Sequence, residues 1–367
     1  MSFLTCGFIG LGLIGGSIAK ALKAALPNTK IVAYDVNADA LLLAQSEGIV
    51  DTCADGITAA FSACDYIFLC APVSHNDENL SAIKKIISPN CTLTDVGSVK
   101  TTTHAHVAEA GLSAQFIGGH PMTGSERTGY RNSKALILQN AYYILTPPAE
   151  VSYDRLLAMQ NLVKTLGAIP LVLSFTQHDF VTAAVSHLPH LIASSLVNLV
   201  QQTDNEDGIM KQIAAGGFKD ITRIASSSPI MWQQICLTNG ENISRLLSAY
   251  IELLMQAKAY VDTKDAEGLY QLFDSARTYR ESFANTSAGP IKRVYEITVD
   301  IADKPGAIAA IVGLLADAKL NIKNIGITHN REIAEGAMQI EFYEEGDVAR
   351  AKELLENEGY ETKIRPM

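Results

Sequence analysis

The run Cys6–Ala25, CGFIGLGLIGGSIAKALKAA, decides how the rest of the chain is read. A short apolar stretch enters a cluster of glycines, and apolar residues at helical spacing leave it, so a strand, a tight turn and a helix are expected in that order. Gly10, Gly12 and Gly15 stand at the spacing G-x-G-x-x-G, with Leu13 and Ile14 opening the helix. In this arrangement the first glycine makes the turn and the second lets a pyrophosphate approach the backbone. The third packs helix on strand, and the phosphate charge meets the helix N-terminus. The next apolar run, KIVAYD, ends on Asp35, about twenty residues beyond Gly15, where a carboxylate reaches a ribose hydroxyl. A carboxylate there repels a 2′-phosphate, so NAD is expected rather than NADP.

Outward from this unit, strand-like and helix-like runs alternate. ADALLLAQSEG, LSAIKKII and TTTHAHVAEAG read as helices, while DYIFLCAP, CTLTDVGS, AQFIGGHP, AYYILTPP and GAIPLVLS read as strands. Such alternation implies a parallel sheet covered on both faces, a Rossmann-type doubly wound α/β domain over residues 1–173. Ligands bind beyond the carboxyl ends of the strands in such sheets. Ala71 and Pro72, Ser98 and His120 each follow a strand pattern, which places them along that edge, with Ala71 and Pro72 beside the cofactor.

Beyond Ser174 no strand pattern appears until the last quarter of the chain. A capping box from Thr176 to Asp179 is expected to open a long helix containing Pro189, and NISRLLSAYIELLMQAKAYV and AEGLYQLFDSARTYRESF add further helices. This is an all-helical substrate and dimerisation domain, 174–290, ending in the linker ANTSAGP. Residues 294–367 then read strand, helix, strand, strand, helix, strand, a ferredoxin-like unit.

Composition narrows the function. The formal net charge of −10 argues against a nucleic-acid partner, because phosphate binding needs a basic face. A few cations in a cleft still suffice for a small anionic substrate. No stretch reads as an uninterrupted transmembrane span, and MSFLTCGFIGLG lacks a basic leader. The six cysteines form no CxxC pair and read as free thiols in a reducing compartment, hence a cytoplasmic location. No metal-ligand spacing is present in the sequence. His104 and His106 form a lone HxH in a helix, where the period puts them on different faces, and both are expected at the surface.

One stretch sets a titratable group among conformationally special residues. In Gly118–Glu126, GGHPMTGSE, His120 stands between two glycines and a proline. Together with DVGSVK (95–100), SHLPH (186–190) and GGFKDITRIASSSPIMW (216–232), it resembles the prephenate/arogenate dehydrogenases of tyrosine biosynthesis, across roughly residues 5–290. DKPGAIAAI (303–311) resembles an ACT domain, a module that commonly binds an amino-acid effector.

The resemblance implies NAD-dependent oxidative decarboxylation of prephenate. It makes His120 the acceptor of the substrate hydroxyl proton, within a strand-end loop, and Ser98 the serine that bonds the same hydroxyl and steadies that histidine. Arg223 would grip a substrate carboxylate, as a bidentate guanidinium suits. Lys219 would support it, and His187 and Trp232 would lie near the substrate, while His190 reads as structural. Ser125 and Glu126 resemble residues at the pocket rim. Lys304, Pro305, Gly306 and Asn321 sit where related domains contact an effector, here expected to be L-tyrosine. A homodimer is expected. With no helical segment before the first strand, one activity is expected rather than a fused pair. The motifs leave arogenate open as the substrate, and a non-catalytic sensor of NAD and an amino acid remains a second alternative. A β-hydroxyacid dehydrogenase leaves GGHPMTGSE unexplained.

Overall fold

Eight short strands form one twisted sheet in the amino-terminal part of the chain. They are β1 (Thr5–Ile9), β2 (Lys30–Tyr34), β3 (Thr52–Cys53), β4 (Tyr66–Leu69), β5 (Thr92–Asp95), β6 (Phe116–Pro121), β7 (Tyr142–Thr146) and β8 (Ile169–Val172), in the order β3-β2-β1-β4-β5-β6-β7-β8. The computed structural model describes residues 4–72, 76–124, 127–283, 295–302, 304–329 and 335–364. Contacts divide the chain into two compact units, 1–259 and 260–367.

Side chains that alternate along each strand supply two cores, one per face of the sheet. Phe8 and Phe68 stack at 4.9 Å on one face with Ile18, Leu22 and Tyr143. Their neighbours Ile9, Ile67 and Leu69 pack with Phe61 and Phe116 on the other. The order reverses between β1 and β4, the crevice where a doubly wound sheet takes its ligand. Gly10 turns there with φ +92°, and a Cβ on it would stand 2.6 Å from the Ala71 nitrogen.

Two features depart from the sequence reading. The two-residue β3 is too short to leave a pattern. The sheet is not wholly parallel either, because β6 and β7 pair antiparallel, His120 opposite Ile144. Among the described residues between them there is no α-helix. The connection instead makes the 3₁₀ turns Tyr130–Asn132 and Ala135–Leu138, which lie along the helix Leu13–Ala25. There the Tyr130 hydroxyl donates to Glu47 at 2.7 Å, Lys20 bridges to Glu47 at 3.1 Å, and the Lys134 N–H donates to Ser17.

The helical segment opens two residues earlier than the reading had it. The capping box is Ser174 with Gln177, not Thr176 with Asp179: Ser174 Oγ accepts from the Gln177 N–H, and the Gln177 side chain accepts in return from the Ser174 N–H. Helix Phe175–Thr182 then passes through a π turn, Ala183–His187, into helix Leu188–Thr203. Pro189, which has no N–H to give to the preceding turn, is the second residue after that π turn. Residues Phe175–Thr203 are, against expectation, long and apolar enough to cross a membrane, with mean hydropathy 1.4 over their most apolar window. Their buried polar side chains, however, are committed to the site described below.

In the second unit β9 (Tyr295–Ala302), β10 (Ile322–His329), β11 (Glu335–Phe342) and β12 (Thr362–Ile364) form an antiparallel sheet ordered β10-β11-β9-β12. Helices Ala307–Asp317 and Glu345–Asn357 cover one face, and Ile297, Val299, Leu315, Met338, Phe342 and Leu355 fill the core. This is the expected ferredoxin-like order.

The clasp on helix Leu13–Ala25 needs a bare backbone at Gly16, where a Cβ would stand 2.7 Å from the Tyr130 ring and 2.8 Å from Ser133 Oγ. Gly16→Ala is therefore expected to destabilise the protein by about 1–3 kcal/mol, read as a lower midpoint in thermal unfolding. An unchanged midpoint would contradict the packing.

Candidate active site

The glycine turn has the shape of a phosphate cradle. Gly12 opens on free space, with no atom within 4 Å of a built Cβ. A Cβ on Gly15 would lie 2.6 Å from the Gly10 carbonyl oxygen, so the third glycine lets helix meet strand. Leu13 and Ile14 form the first turn of the helix. Asp35 closes β2 with Oδ2 accepting from the Leu11 N–H at 2.5 Å and Oδ1 from the Asn37 N–H at 2.7 Å, which fixes its carboxylate beside the turn. Ala71 is half-buried and Pro72 exposed just beyond β4. These groups fit a dinucleotide.

Three strands along the same edge from the glycine turn lies His120. It belongs to β6 itself rather than to a loop after it, and the glycines before it serve close packing, not a turn. A Cβ on Gly118 would stand 2.2 Å from Thr146 Oγ1 and 3.0 Å from His104 Nε2. One on Gly119 would stand 2.5 Å from the Asp95 carbonyl oxygen. Lys100, wholly buried, donates to the Asp95 carboxylate and to the Gly119 carbonyl at 2.8 Å, while the Gly119 N–H donates to Asp95 Oδ1 at 3.0 Å. The residue before His120 is thus held from both sides by one buried ion pair. Burial pulls the Lys100 ammonium down, against the pull of Asp95.

The hydrogen-bond partner of His120 is a residue the sequence reading passed over. His120 Nδ1 lies 2.8 Å from His178 Nε2, and His178 Nδ1 lies 2.7 Å from Asp179 Oδ1. Asp179 also accepts from the backbone N–H groups of Lys100 at 2.7 Å and Thr101 at 2.8 Å, and so caps the helix Thr101–Glu109, whose own N-cap residue supplies no side-chain bond. A carboxylate at a helix N-terminus meets the positive end of the helix dipole. Burial works to raise the Asp179 carboxyl, yet the bonds from His178, Thr101 and Lys100 outweigh it and hold it below the usual carboxylate value. For His120, burial first, then His178 and Lys100, push the imidazole well below 6.5. Both rings are neutral at pH 7. Ser98 is half-buried on the turn between Asp95 and Lys100, along the same edge as His120.

A second cluster adjoins the first through Asn239. Its Nδ2 donates to the Asp179 carbonyl at 2.8 Å and lies 3.2 Å from His187 Nδ1. His187 is buried, and burial lowers it to about 4. Trp232 meets His187 edge-on at 5.9 Å and stacks on His190 at 3.6 Å. The His190 Nδ1–H donates to the Ser186 carbonyl, and the Arg223 charge acts on the same ring. Arg223 begins the 3₁₀ turn Arg223–Ser226 and is exposed, as is Lys219 in helix Gly216–Thr222. The structure brings His187, Trp232, His190 and Arg223 together. Ser125 and Glu126 lie outside the described residues.

His104 departs from expectation. It is buried, stacked on Phe175 at 4.6 Å, with Nε2 2.9 Å from Thr146 Oγ1, and burial lowers it to about 4. The HxH spacing puts the two histidines on different faces, and the face of His104 happens to be the packed one. His106 is half-buried. Among the described residues no cluster of metal-ligating side chains occurs.

In the second unit a cavity of about 570 Å³ is lined by Asp300, Lys304, Pro305, Gly306, Tyr360 and Glu361 among others. Gly306, at φ +90°, opens the helix Ala307–Asp317 there. Asn321 is exposed and does not line this cavity.

A phosphate cradle at the switch point of a doubly wound sheet, with a neutral, half-buried imidazole farther along the same edge, defines a pyridine-nucleotide-dependent dehydrogenase. The matches to known proteins are consistent with this. Residues 18–171 match the family model "Prephenate dehydrogenase, nucleotide-binding domain", 174–275 match "Prephenate dehydrogenase, dimerization domain", and 295–358 match "ACT domain". The chain is 36% identical to a prephenate dehydrogenase of Bacillus subtilis over 96% of each chain. It is 32% identical to one of Lactococcus lactis, over 95% of this chain and 96% of that one. A crystal structure of Aquifex aeolicus prephenate dehydrogenase with hydroxyphenyl propionate and NAD⁺ superposes with a TM-score of 0.72 at 31% identity, over 77% of this chain and 99% of that one. The chain belongs to the prephenate dehydrogenase family.

Keeping several histidines neutral has a cost at low pH. The unfolded chain protonates His104 and His187 near pH 6.5, whereas the folded chain does so only near 4. A depressed folded value means that this stability is present above pH 6.5 and is lost as pH falls toward 4. His120 and His178, also lowered, act in the same direction. The melting temperature is expected to fall steadily between pH 6.5 and 4.5, and a flat profile over that range would contradict the burial of neutral rings.

Proposed function

We propose that the chain oxidises prephenate with NAD⁺, releasing carbon dioxide and 4-hydroxyphenylpyruvate. The observation that carries this reading is the neutral, half-buried His120 on the dinucleotide edge of a chain related to prephenate dehydrogenases over almost its whole length. Bound at Gly10, Gly12, Leu13, Ile14, Gly15 and Asp35, and bordered by Ala71 and Pro72, NAD⁺ supplies the hydride acceptor. The Asp35 carboxylate supports NAD over NADP. His120 accepts the proton of the substrate hydroxyl, a task suited to an imidazole that is neutral at working pH. Ser98, on the adjoining turn, bonds the same hydroxyl. Arg223 grips a carboxylate, with Lys219 adding charge, and His187 and Trp232 line the side-chain end of the substrate. Ser125 and Glu126 are assigned to the rim. Loss of the ring carboxylate is driven by aromatisation, which asks of the protein only that the substrate be held.

Three divisions go with this reading: residues 1–173 for the cofactor, 174–290 for the substrate and dimerisation, and 294–367 for regulation. A homodimer through the helical part is supported by exposed Val185, Leu199, Ile213, Ile221, Ile230 and Leu237 on the segment that matches a dimerisation domain. The ACT domain fits an amino-acid effector, and we assign L-tyrosine, with Lys304, Pro305 and Gly306 at the cavity; Asn321, the remaining expected contact, does not line it. Free thiols raised by burial, Cys64 to about 12, suit the reducing cytoplasm. Full-length relatives that are prephenate dehydrogenases favour the keto substrate over arogenate.

The test is NADH formation from prephenate and from arogenate in parallel, with and without tyrosine. A kcat/KM at least about tenfold higher for prephenate is expected, about 1.4 kcal/mol of differential transition-state binding, with tyrosine changing the rate or the melting temperature. His120→Asn is expected to lose activity by at least about 100-fold while keeping its NAD affinity. Equal or reversed preference would overturn the substrate, full activity in the variant would overturn the base, and no response to tyrosine would overturn the effector.

A further inference from the structure

Two residues that the reaction as written does not use stand behind His120. Asp179 can only accept hydrogen bonds, so the proton between it and His178 sits on His178 Nδ1. His178 Nε2 then carries a lone pair, and the 2.8 Å contact to His120 Nδ1 requires the hydrogen on His120. That leaves His120 Nε2 as its free lone pair.

We propose that His178 and Asp179 are positioning residues that hold His120 as its Nδ1–H tautomer and face the charge it acquires. The proposal rests on His120 acting as the base. When the substrate O–H bond breaks, the proton joins His120 Nε2 and the ring becomes an imidazolium. Its Nδ1–H stays bonded to His178 Nε2, and the Asp179 carboxylate lies one ring beyond. A carboxylate placed behind an imidazole in this way fixes the tautomer and stabilises the charged ring.

Other charges meet at the same place. From β5 and the turn after it come Asp95 and Lys100, from helix Thr101–Glu109 comes His104, and from the π turn comes His187. The Lys100 ammonium opposes protonation of both rings, and Asp95, bonded to it, offsets that effect. Asp179 is the anion bonded directly to the histidine pair. Two backbone N–H groups fix it in place, so its effect on the rings does not depend on a mobile side chain.

The variants are Asp179→Asn, which removes the charge, and His178→Gln, whose side-chain oxygen can still accept from His120 Nδ1. Two readouts apply to each. Histidine C2 hydrogen exchange followed by mass spectrometry reports the pKa of His120 without substrate. It is expected to fall in Asp179→Asn, where the anion that favours the charged ring is lost. Steady-state turnover of prephenate should show kcat reduced roughly 100-fold in Asp179→Asn and less in His178→Gln. KM should stay within about threefold in both, and in Asp179→Asn the acid limb of the rate profile should move to lower pH. An unchanged or higher His120 pKa in Asp179→Asn would overturn the proposal, as would a kcat loss in that variant that leaves the acid limb in place and merely follows a drop in melting temperature. Absence of wild-type turnover with prephenate would instead refute the substrate reading, with the exchange measurement still deciding the role of Asp179.

Discussion

The buried Asp179 carboxylate is the point on which the site depends. It belongs to the first helix beyond the sheet, yet it caps the helix Thr101–Glu109 that follows β5. One anion therefore fastens the helical segment to the dinucleotide-binding sheet. The bond continues through His178 to His120 in one direction, and through the Asp179 carbonyl and Asn239 to His187 in the other. The registration of the two parts of this unit and the orientation of two site histidines follow from the same few atoms. Burial alone disfavours such a charge strongly, and the bonds that converge on it are what make it tenable.

The second constraint is the close approach of backbone to backbone beneath His120. Gly118 and Gly119 let β6 pass against Thr146, His104, Lys100 and the Asp95 carbonyl without room for a Cβ. The Asp95–Lys100 pair then grips the Gly119 amide on both its polar atoms. Tight strands and a fully buried ion pair give His120 a fixed position, whereas a loop would leave it free to move. The same principle acts at the other end of the cofactor site, where Gly10 abuts Ala71 and Gly15 abuts the Gly10 carbonyl.

What was legible in the sequence was local. The glycine spacing, the strand before it and Asp35 after it all lie within one β–α–β unit, and the ferredoxin-like order was readable from alternating patterns. His120 stood out because glycine and proline are unusual neighbours for a titratable group. His178, Asp179 and Asn239 were not legible, because their roles come from contacts with residues 58 to 79 positions away in the chain. The dipeptide His178-Asp179 looks like ordinary helix-opening polarity until the capping box is seen to be Ser174 with Gln177, which frees Asp179 for another helix. His104 was misplaced because a nine-residue helix with few apolar residues gives no clear inner face. β7 was expected as a strand, but its antiparallel direction was missed, because the chain between it and β6 turns along helix Leu13–Ala25 instead of forming a crossover helix.

The central claim is that this fold presents a neutral histidine with its Nε2 lone pair free. Nitrogen-15 NMR of the histidine-labelled protein at pH 7, with His120 assigned by its loss in a variant, tests it directly. The account predicts an Nδ1–H imidazole at His120, with an unprotonated Nε2 and a Nδ1 proton coupled to His178 across their hydrogen bond. An Nε2–H tautomer, or an imidazolium at that pH, would contradict it.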